Sequence, residues 1–309
     1  HQVAFVYISH RYREVYEVGD RVTILRDGRN VGTYDIKGLP FDTMIEKMIG
    51  GQVKRQYPAL PEPADDDALR VQGLTRKGKF HDIDLRVRKG EIVGVTGLMG
   101  AGKTELGRAI AGIDRVDAGA IFVGEKPVRS RTAEEAIRDG IAYLTEDRKT
   151  EGLVLDLSIR DNYALPSSPR LTTAGLIHHG RIDAEAQQYF DRLAIKAPSI
   201  ATHARKLSGG NQQKVVVAKW LGARAKVLIF DEPTRGIDIN GRREIYRIMQ
   251  ELLEQGVGIL MLTSDYTEAL EMSHRILVMR HGEICCEFQR GEPTESDILR
   301  EAIGQVNEG

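Results

Sequence analysis

Residues 97–104, Gly97-Leu98-Met99-Gly100-Ala101-Gly102-Lys103-Thr104, fit the spacing G-x-x-x-x-G-K-[ST]. Glycines at those positions leave backbone N–H groups free to wrap phosphate oxygens. The lysine offsets the charge of the β and γ phosphates, and the threonine hydroxyl is a ligand for Mg²⁺. Further on stand a second glycine turn, Leu207-Ser208-Gly209-Gly210-Asn211-Gln212-Gln213-Lys214, an acidic run end, Val227-Leu228-Ile229-Phe230-Asp231-Glu232, and Asp238. Asp231 can hold Mg²⁺ through water, and Glu232 can polarise a water that attacks the γ phosphate. Types and order together describe a site that grips and cleaves a nucleoside triphosphate.

Such a site needs a strand before the glycines and a helix after them. Ile92, Val93 and Val95 within Glu91–Thr96 read as a short buried strand, and Leu106, Ala109 and Ile110 recur at helical spacing from Thr104 to a stop at Gly112. The helix N-terminus then faces the phosphates with its partial positive charge. Lys226 to Phe230 is a largely apolar run, the pattern of a strand buried on both faces of a parallel sheet, ended by Pro233. Its two carboxylates fall at the carboxyl edge of that sheet, where open α/β sheets bind ligands. A further helix is expected from Gln212 to Leu221, opened by Ser208, Gly209 and Gly210, whose amides can grip a γ phosphate.

The turn Leu207 to Lys214, standing shortly before the acidic strand, resembles the signature of the ATP-binding cassette (ABC) ATPases. That resemblance implies an α/β fold: a P-loop NTPase (RecA-like) core with an antiparallel β subdomain and an inserted helical subdomain. It implies ATP and Mg²⁺ as ligands, with Glu232 and Glu146 catalytic and with Thr104 and Asp231 on the metal. Nucleotide contacts would come from residues 97–104, Glu105, Ser208, Gly209, Gly210, Gln212, Asp238, Ser264 and His10. Cassettes of this family pair head to tail, so each site joins one phosphate loop to the other cassette's signature. Asp238, in Thr234-Arg235-Gly236-Ile237-Asp238, resembles the loop that crosses the interface. Phe80 is the nearest candidate to stack on adenine, with a place in the core as the other reading of it.

Internal repetition sets the domain organisation. Tyr7-Ile8-Ser9-His10 through Leu25-Arg26-Asp27-Gly28 returns as Met261-Leu262-Thr263-Ser264 through Met279-Arg280-His281-Gly282 at a constant offset, with Glu14, Arg21, Arg26 and Gly28 recurring as Glu268, Arg275, Arg280 and Gly282. Each copy reads as a strand, a helix, a second strand and a tight hairpin. Val3 to Ile8 is the first copy's opening strand. Residues 1–58 are therefore expected to be the tail of a preceding cassette, 59–69 a Pro- and Asp-rich linker, and 70–309 a complete cassette with its helical subdomain at about 146–207.

With 41% hydrophobic residues the 309-residue chain can bury a sizeable core, and a formal net charge of −1 gives no case for nucleic acid. No apolar run approaches the roughly 20 residues needed to cross a bilayer. Cys285 and Cys286 are adjacent on an expected strand, where alternation sends their side chains to opposite faces; they read as reduced core or edge residues.

Thr145-Glu146-Asp147-Arg148-Lys149 stands where most cassettes have a glutamine loop, with Glu146 in the glutamine's place. Together with the tandem organisation, this looks like the C-terminal half of the double-cassette ATPases of bacterial monosaccharide importers of the ribose, galactose or xylose type. The partners implied are the upstream cassette of the same polypeptide, integral membrane permease subunits and, indirectly, a periplasmic sugar-binding protein. The place implied is the cytoplasmic face of the inner membrane. Nucleoside or signalling-molecule importers share this architecture; tandem-cassette factors that act on ribosomes differ by a long charged linker. The expected complete cassette departs from the family it resembles in carrying Ser264 where the first copy has His10, at the position where that resemblance implies a histidine contacting the γ phosphate.

Overall fold

The structure is a computed structural model that describes residues 3–8, 12–26, 29–40, 43–44, 47, 57–128, 132–168, 170–173, 176–237 and 239–304. It forms two compact units, residues 1–56 with 238–243 and residues 57–237 with 244–309. In the first unit, helix α1 (Tyr12–Val18) leads into the hairpin β1 (Arg21–Arg26) and β2 (Arg29–Asp35). Ile24, Leu39 and Met44 make its small core. Val3 to Ile8, expected as a strand, is in no β-ladder and is largely exposed.

The second unit opens on an antiparallel sheet in the order β4-β3-β6-β7, from β3 (Asp67–Arg76), β4 (Phe80–Arg88), β6 (Ala118–Val123) and β7 (Lys126–Val128). A six-stranded sheet, β14-β13-β5-β12-β11-β8, forms the centre. Its strands are β5 (Ile92–Thr96), β8 (Ile141–Leu144), β11 (Val227–Asp231), β12 (Gly258–Leu262), β13 (Arg275–Arg280) and β14 (Glu283–Gln289). All are parallel along the order except the edge strand β14. The apolar runs alternate between two cores, as a doubly buried sheet requires. Val227, Ile229, Leu260 and Leu262 face the antiparallel sheet and helix α2 (Lys103–Ile110), with Leu69, Ile83 and Leu106. Leu228, Phe230, Ile259 and Met261 face the other way, toward Tyr246, Met249 and Leu252 of α7 (Ile239–Glu254).

The remaining helices are α3 (Ala133–Asp139), α4 (Ile159–Ser167), α5 (His179–Arg192), α6 (Gly209–Gly222), α8 (Tyr266–Met272) and α9 (Glu295–Ile303). Helices α4, α5 and α6 pack together through Tyr163, Ala186 and Val215 to Ala218. A short hairpin, β9 (Thr172–Thr173) with β10 (Leu176–Ile177), joins α4 to α5.

The first strand of the larger unit starts at Asp67, and residues of the expected 59–69 linker are bonded to later strands and loops of that unit: Ala64 N–H bonds Lys89 O at 2.9 Å, and His274 bonds Pro61 O at 2.9 Å. One expectation needs correction. The thiols of Cys285 and Cys286 do not point to opposite faces. A β-bulge pairs Val278 with Cys286 and Met279 with Ile284, leaving Cys285 as the extra residue, and both cysteines pack against one cluster, that of Ile276, Val278 and Ile298. A bulge breaks the two-residue alternation that the sequence reading relied on.

Candidate nucleotide-binding site

Parallel register brings four strand ends to one edge of the sheet. Asp231 pairs with Leu262, Leu262 with Val95, and Phe230 with Leu144. The phosphate loop leaves β5 there, Glu232 follows β11, Ser264 lies just past β12, and Glu146 just past β8. Chain entry into the loop depends on Gly97 at φ 147°, where an added Cβ would meet Met279 O at 2.1 Å. No other residue type fits that approach without moving the β13 backbone. Gly102 then caps α2 in the left-handed region, φ 103°. Leu98, Met99 and Gly100 are exposed and Ala101 is buried, its carbonyl accepting from Gly282 N–H at 3.0 Å.

Lys103 is buried, and its Nζ donates to Gly97 O at 2.8 Å and Leu98 O at 3.2 Å. Burial pushes its ammonium below the ordinary lysine range, while Glu232, Asp231 and Glu105 pull it back up. The loop's own carbonyls thus hold the cation. Glu105, in the first turn of α2, is ion-paired with Lys79 at 3.0 Å.

The Asp231 carboxylate is buried, which raises it above the usual carboxylate range against the hydrogen bonds from Tyr143 and Thr104 that hold it down. Thr104 Oγ1 donates to Asp231 Oδ1 at 3.2 Å, and the Tyr143 hydroxyl donates to Oδ2. The same contact and burial push the Tyr143 phenol far up, so it stays a donor. One carboxylate oxygen is held from behind, and the other faces the threonine hydroxyl. An all-oxygen pair of this kind fits a hard cation such as Mg²⁺.

Glu232 has φ 48°, an unusual value for a non-glycine residue, and its N–H bonds Leu262 O at 2.8 Å. Strain of this kind costs about 1–3 kcal/mol and persists only where surroundings enforce it. Burial raises its carboxyl, while a hydrogen bond from Ser264 lowers it. Behind both lies fully buried Glu268, which accepts from Thr234 Oγ1 at 2.8 Å, Thr263 Oγ1 at 2.5 Å and Tyr246 OH at 2.9 Å. Its carboxylate thereby ties the segment after Glu232 to the segment that carries Ser264.

Ser208, Gly209 and Gly210 open α6. Ser208 is exposed, and its Oγ accepts from Asn211 Nδ2 at 2.9 Å. Gln212 departs from the nucleotide contact expected of it: it is buried, and its Nε2 donates to Ala204 O at 3.1 Å, so its amide braces the turn from inside. Phe80 also departs. At 2% exposure it belongs to the core and has no face to offer an adenine. Glu146 is at the same sheet edge, ion-paired with Arg235. His10 and Asp238 lie outside the described residues.

Tyr143, Glu268 and the Arg235–Glu146 pair are the parts that the sequence reading missed. Tyr143 takes its role from strand register, which no local pattern encodes. Glu268 did leave a signal: it is one of the positions recurring from the first copy, as Glu14.

A glycine loop between strand and helix, with a buried lysine and an acidic strand end at the same sheet edge, defines a phosphate-loop nucleotide-binding protein of the α/β class. Residues 80–235 match the family described as ABC transporter, and the chain belongs to that family. It is 47% identical over 302 residues to the "Ribose import ATP-binding protein RbsA" of Bacillus subtilis (strain 168), a match spanning 98% of this chain and 61% of that protein. To the "Putative ribose/galactose/methyl galactoside import ATP-binding protein 3" of Burkholderia ambifaria it is 45% identical, over 97% of this chain and 59% of that one. The chain thus spans about three-fifths of the length of the relatives it matches. Among solved structures, a nucleotide-free ATP-binding cassette from an ABC transporter superposes with a TM-score of 0.64 at 19% identity, covering 73% of this chain and 92% of that one. A dimeric cassette in a post-hydrolysis state bound to ADP and Pi gives 0.61 at 20% identity, over 72% and 98%. Both likenesses concern the fold.

Proposed function

We propose that this chain binds ATP with Mg²⁺ at the carboxyl edge of its central sheet and serves as the energy-converting cassette of a bacterial monosaccharide importer. The observation that carries the chemistry is the convergence of Lys103, Thr104, Asp231 and Glu232, held by Gly97, Tyr143 and Ser264. The relatives' printed names, which speak of ribose and galactose import, support the solute class. The partners in this reading are an upstream cassette of the same polypeptide, membrane permease subunits reached near Glu146 and the α4–α6 region, and, through the permease, a periplasmic sugar-binding protein. Among the described residues no helix is long and apolar enough to cross a membrane, which suits a peripheral subunit docked on the cytoplasmic face.

In mechanism, the α2 N-terminus and the loop amides bind the β and γ phosphates, and Lys103 exchanges its two loop carbonyls for phosphate oxygens. Thr104 and Asp231 would hold Mg²⁺, whose charge helps neutralise the phosphates during transfer. Glu232, raised by burial and fixed by its backbone, orients the attacking water and accepts its proton. Ser264 steadies Glu232 but offers no imidazole to the γ phosphate. Ser208, Gly209 and Gly210 serve the phosphate bound by a facing cassette.

Calorimetry with Mg-ATP and a phosphate-release assay test this reading. The chain alone should bind nucleotide and turn it over very slowly, because no second signature completes the site. Absence of binding, or fast turnover by the monomer, would overturn it.

A further inference from the structure

The β13–β14 bulge has a chemical consequence away from the nucleotide site. With Cys285 as the extra residue, the thiols of Cys285 and Cys286 lie on the face that α9 covers, and α9 brings Glu301 to them. The two Sγ atoms and a Glu301 carboxylate oxygen all lie within 4.8 Å of one another, and all three residues are partly buried. Neither cysteine is in a disulfide. We propose that Cys285, Cys286 and Glu301 form a binding site for a thiophilic divalent cation of the Zn²⁺ type, held by two thiolates and one carboxylate with a fourth position open to water.

Four observations support it. First, Zn–S bonds of about 2.3 Å and Zn–O bonds of about 2.0–2.2 Å in a tetrahedron set ligand atoms roughly 3.5–4 Å apart. The separations present, all within 4.8 Å, are near that spacing. Second, the site sits between an edge strand and the last described helix, so its ligands come from two elements that already pack together through Val278, Ile298 and Ala302. Third, the charge balances. Two thiolates, one carboxylate and one dication sum to a single negative charge, and the Arg280 side chain, anchored on Glu301 O at 3.0 Å, supplies the compensating cation. Fourth, the thiols have only weak partners to give up: Cys285 Sγ donates to Val278 O at 3.3 Å. Binding is then M²⁺ + 2 RSH → M(SR)₂ + 2 H⁺, with the carboxylate as third ligand and no change of oxidation state.

The test uses the full chain, nucleotide-free, under a phosphine reductant and without oxygen. Titration with Zn²⁺ against a metallochromic competitor should give one site per chain and release two protons. Co²⁺ at the same site should show a thiolate-to-metal charge-transfer band in the near ultraviolet. Cys285→Ala and Cys286→Ala should each abolish that band and weaken Zn²⁺ binding by roughly a hundredfold or more, beyond what an outer partner alone is worth. Glu301→Gln should keep the band and weaken binding by at least about tenfold. Unchanged ATP binding in each variant shows that it is folded. Absence of the charge-transfer band, or Zn²⁺ affinity that survives both cysteine variants, overturns the site; affinity unchanged by Glu301→Gln overturns the carboxylate ligand.

Discussion

The phosphate loop and the signature turn are both helix N-termini, yet they differ in what the protein has already done with their polar groups. At the start of α2, Lys103 is bonded to its own loop, Asp231 to Tyr143 and Thr104, and Glu232 to Ser264. Charges of both signs are buried together and compensate one another. At the start of α6, Ser208 is exposed, and the first amide bonded within the helix is that of Gln212, to Ser208 O at 2.9 Å. The amides of Gly209 and Gly210 therefore point off the helix end. One end is a finished half-site. The other presents donors that suit an anion brought from outside. In the function proposed above, a chain with both is used twice, once by its own nucleotide and once by its neighbour's.

The sharpest break of that comparison is kinetic, and it needs the full-length protein reconstituted with its permease. Ser208→Arg fills the signature turn and should cost orders of magnitude in turnover, because in the proposed function it removes contacts at the site that an upstream cassette completes. Glu232→Gln should cost much less, since the site it serves has Ser264 where that family's γ-phosphate histidine would stand. Steady-state ATPase rates decide: if the two variants are equally dead, the Lys103 site is the catalytic one and the asymmetric division of labour fails.

Binding by the chain alone gives the next largest effect. Lys103→Met should weaken ATP by roughly a hundredfold or more, through loss of the charge facing the phosphates. Ser208→Arg should leave that affinity unchanged. The Tm of nucleotide-free Lys103→Met should not fall, because a buried cation pushed out of its ordinary range is replaced by a chain of similar shape. Calorimetry and a thermal melt read both, and a sizeable loss of Tm would mean that the lysine holds the loop rather than the ligand.

Glu268 tests whether the finished end is held from behind. Glu268→Gln puts amide hydrogens against hydroxyl donors, at about 1–3 kcal/mol for each buried group left unmatched. A fall in Tm of several degrees is expected for a domain of this size. Turnover in the assembled protein should fall by no more than it does in Glu232→Gln, and rescue of the Tm by Glu268→Asp would be partial because the shorter chain reaches fewer of the three hydroxyls. No change in Tm would remove Glu268 from the account of the site.

How much of this was legible beforehand follows from which interactions are local. The strand, loop and helix around Lys103 and the acidic end at Asp231 are local patterns, and the structure keeps them within a residue or two. The repeat was legible in more detail than its motifs suggest. Tyr12 and Tyr266, Arg21 and Arg275, and Asp35 and Gln289 each begin or end matching elements at the same offset, and the bulge recurs at Ile24/Leu25 and Val278/Met279. That recurrence does not show what the surrounding sheet does. Leu25 is 67% exposed, whereas Met279 is fully buried in a strand that also pairs with β5. Tyr143 and the shared face of the two cysteines were not legible, because one depends on the register of distant strands and the other on a bulge. Of the two readings of Phe80 the core one holds, for a simple reason: an apolar ring in a strand serves the core unless something holds it out.

The smallest effect should come from the opposite end of β5, and it separates the scaffold from both half-sites. His274 Nδ1 accepts from Ile92 N–H at 2.9 Å, which fixes its proton on Nε2, facing Pro61 O at 2.9 Å. Burial holds this imidazole below its ordinary value of 6.5, more strongly than the Pro61 contact and the nearby Glu91 raise it. The unfolded chain therefore binds the extra proton more readily than the folded one, and stability rises with pH in that range. The contribution is fully present above about pH 6.5 and is lost as pH falls below it, since protonation would set an N–H against the amide of Ile92. Thermal melts at pH 7.5 and 5.5 should show a larger loss for the natural chain than for His274→Gln, which carries no titrating group. ATP affinity at pH 7.5 should be the same in both, because the imidazole acts where β5 begins and the phosphate loop starts where it ends. Equal pH dependence in the two proteins would remove His274 as its source; a change in affinity would mean that β5 transmits strain along its length.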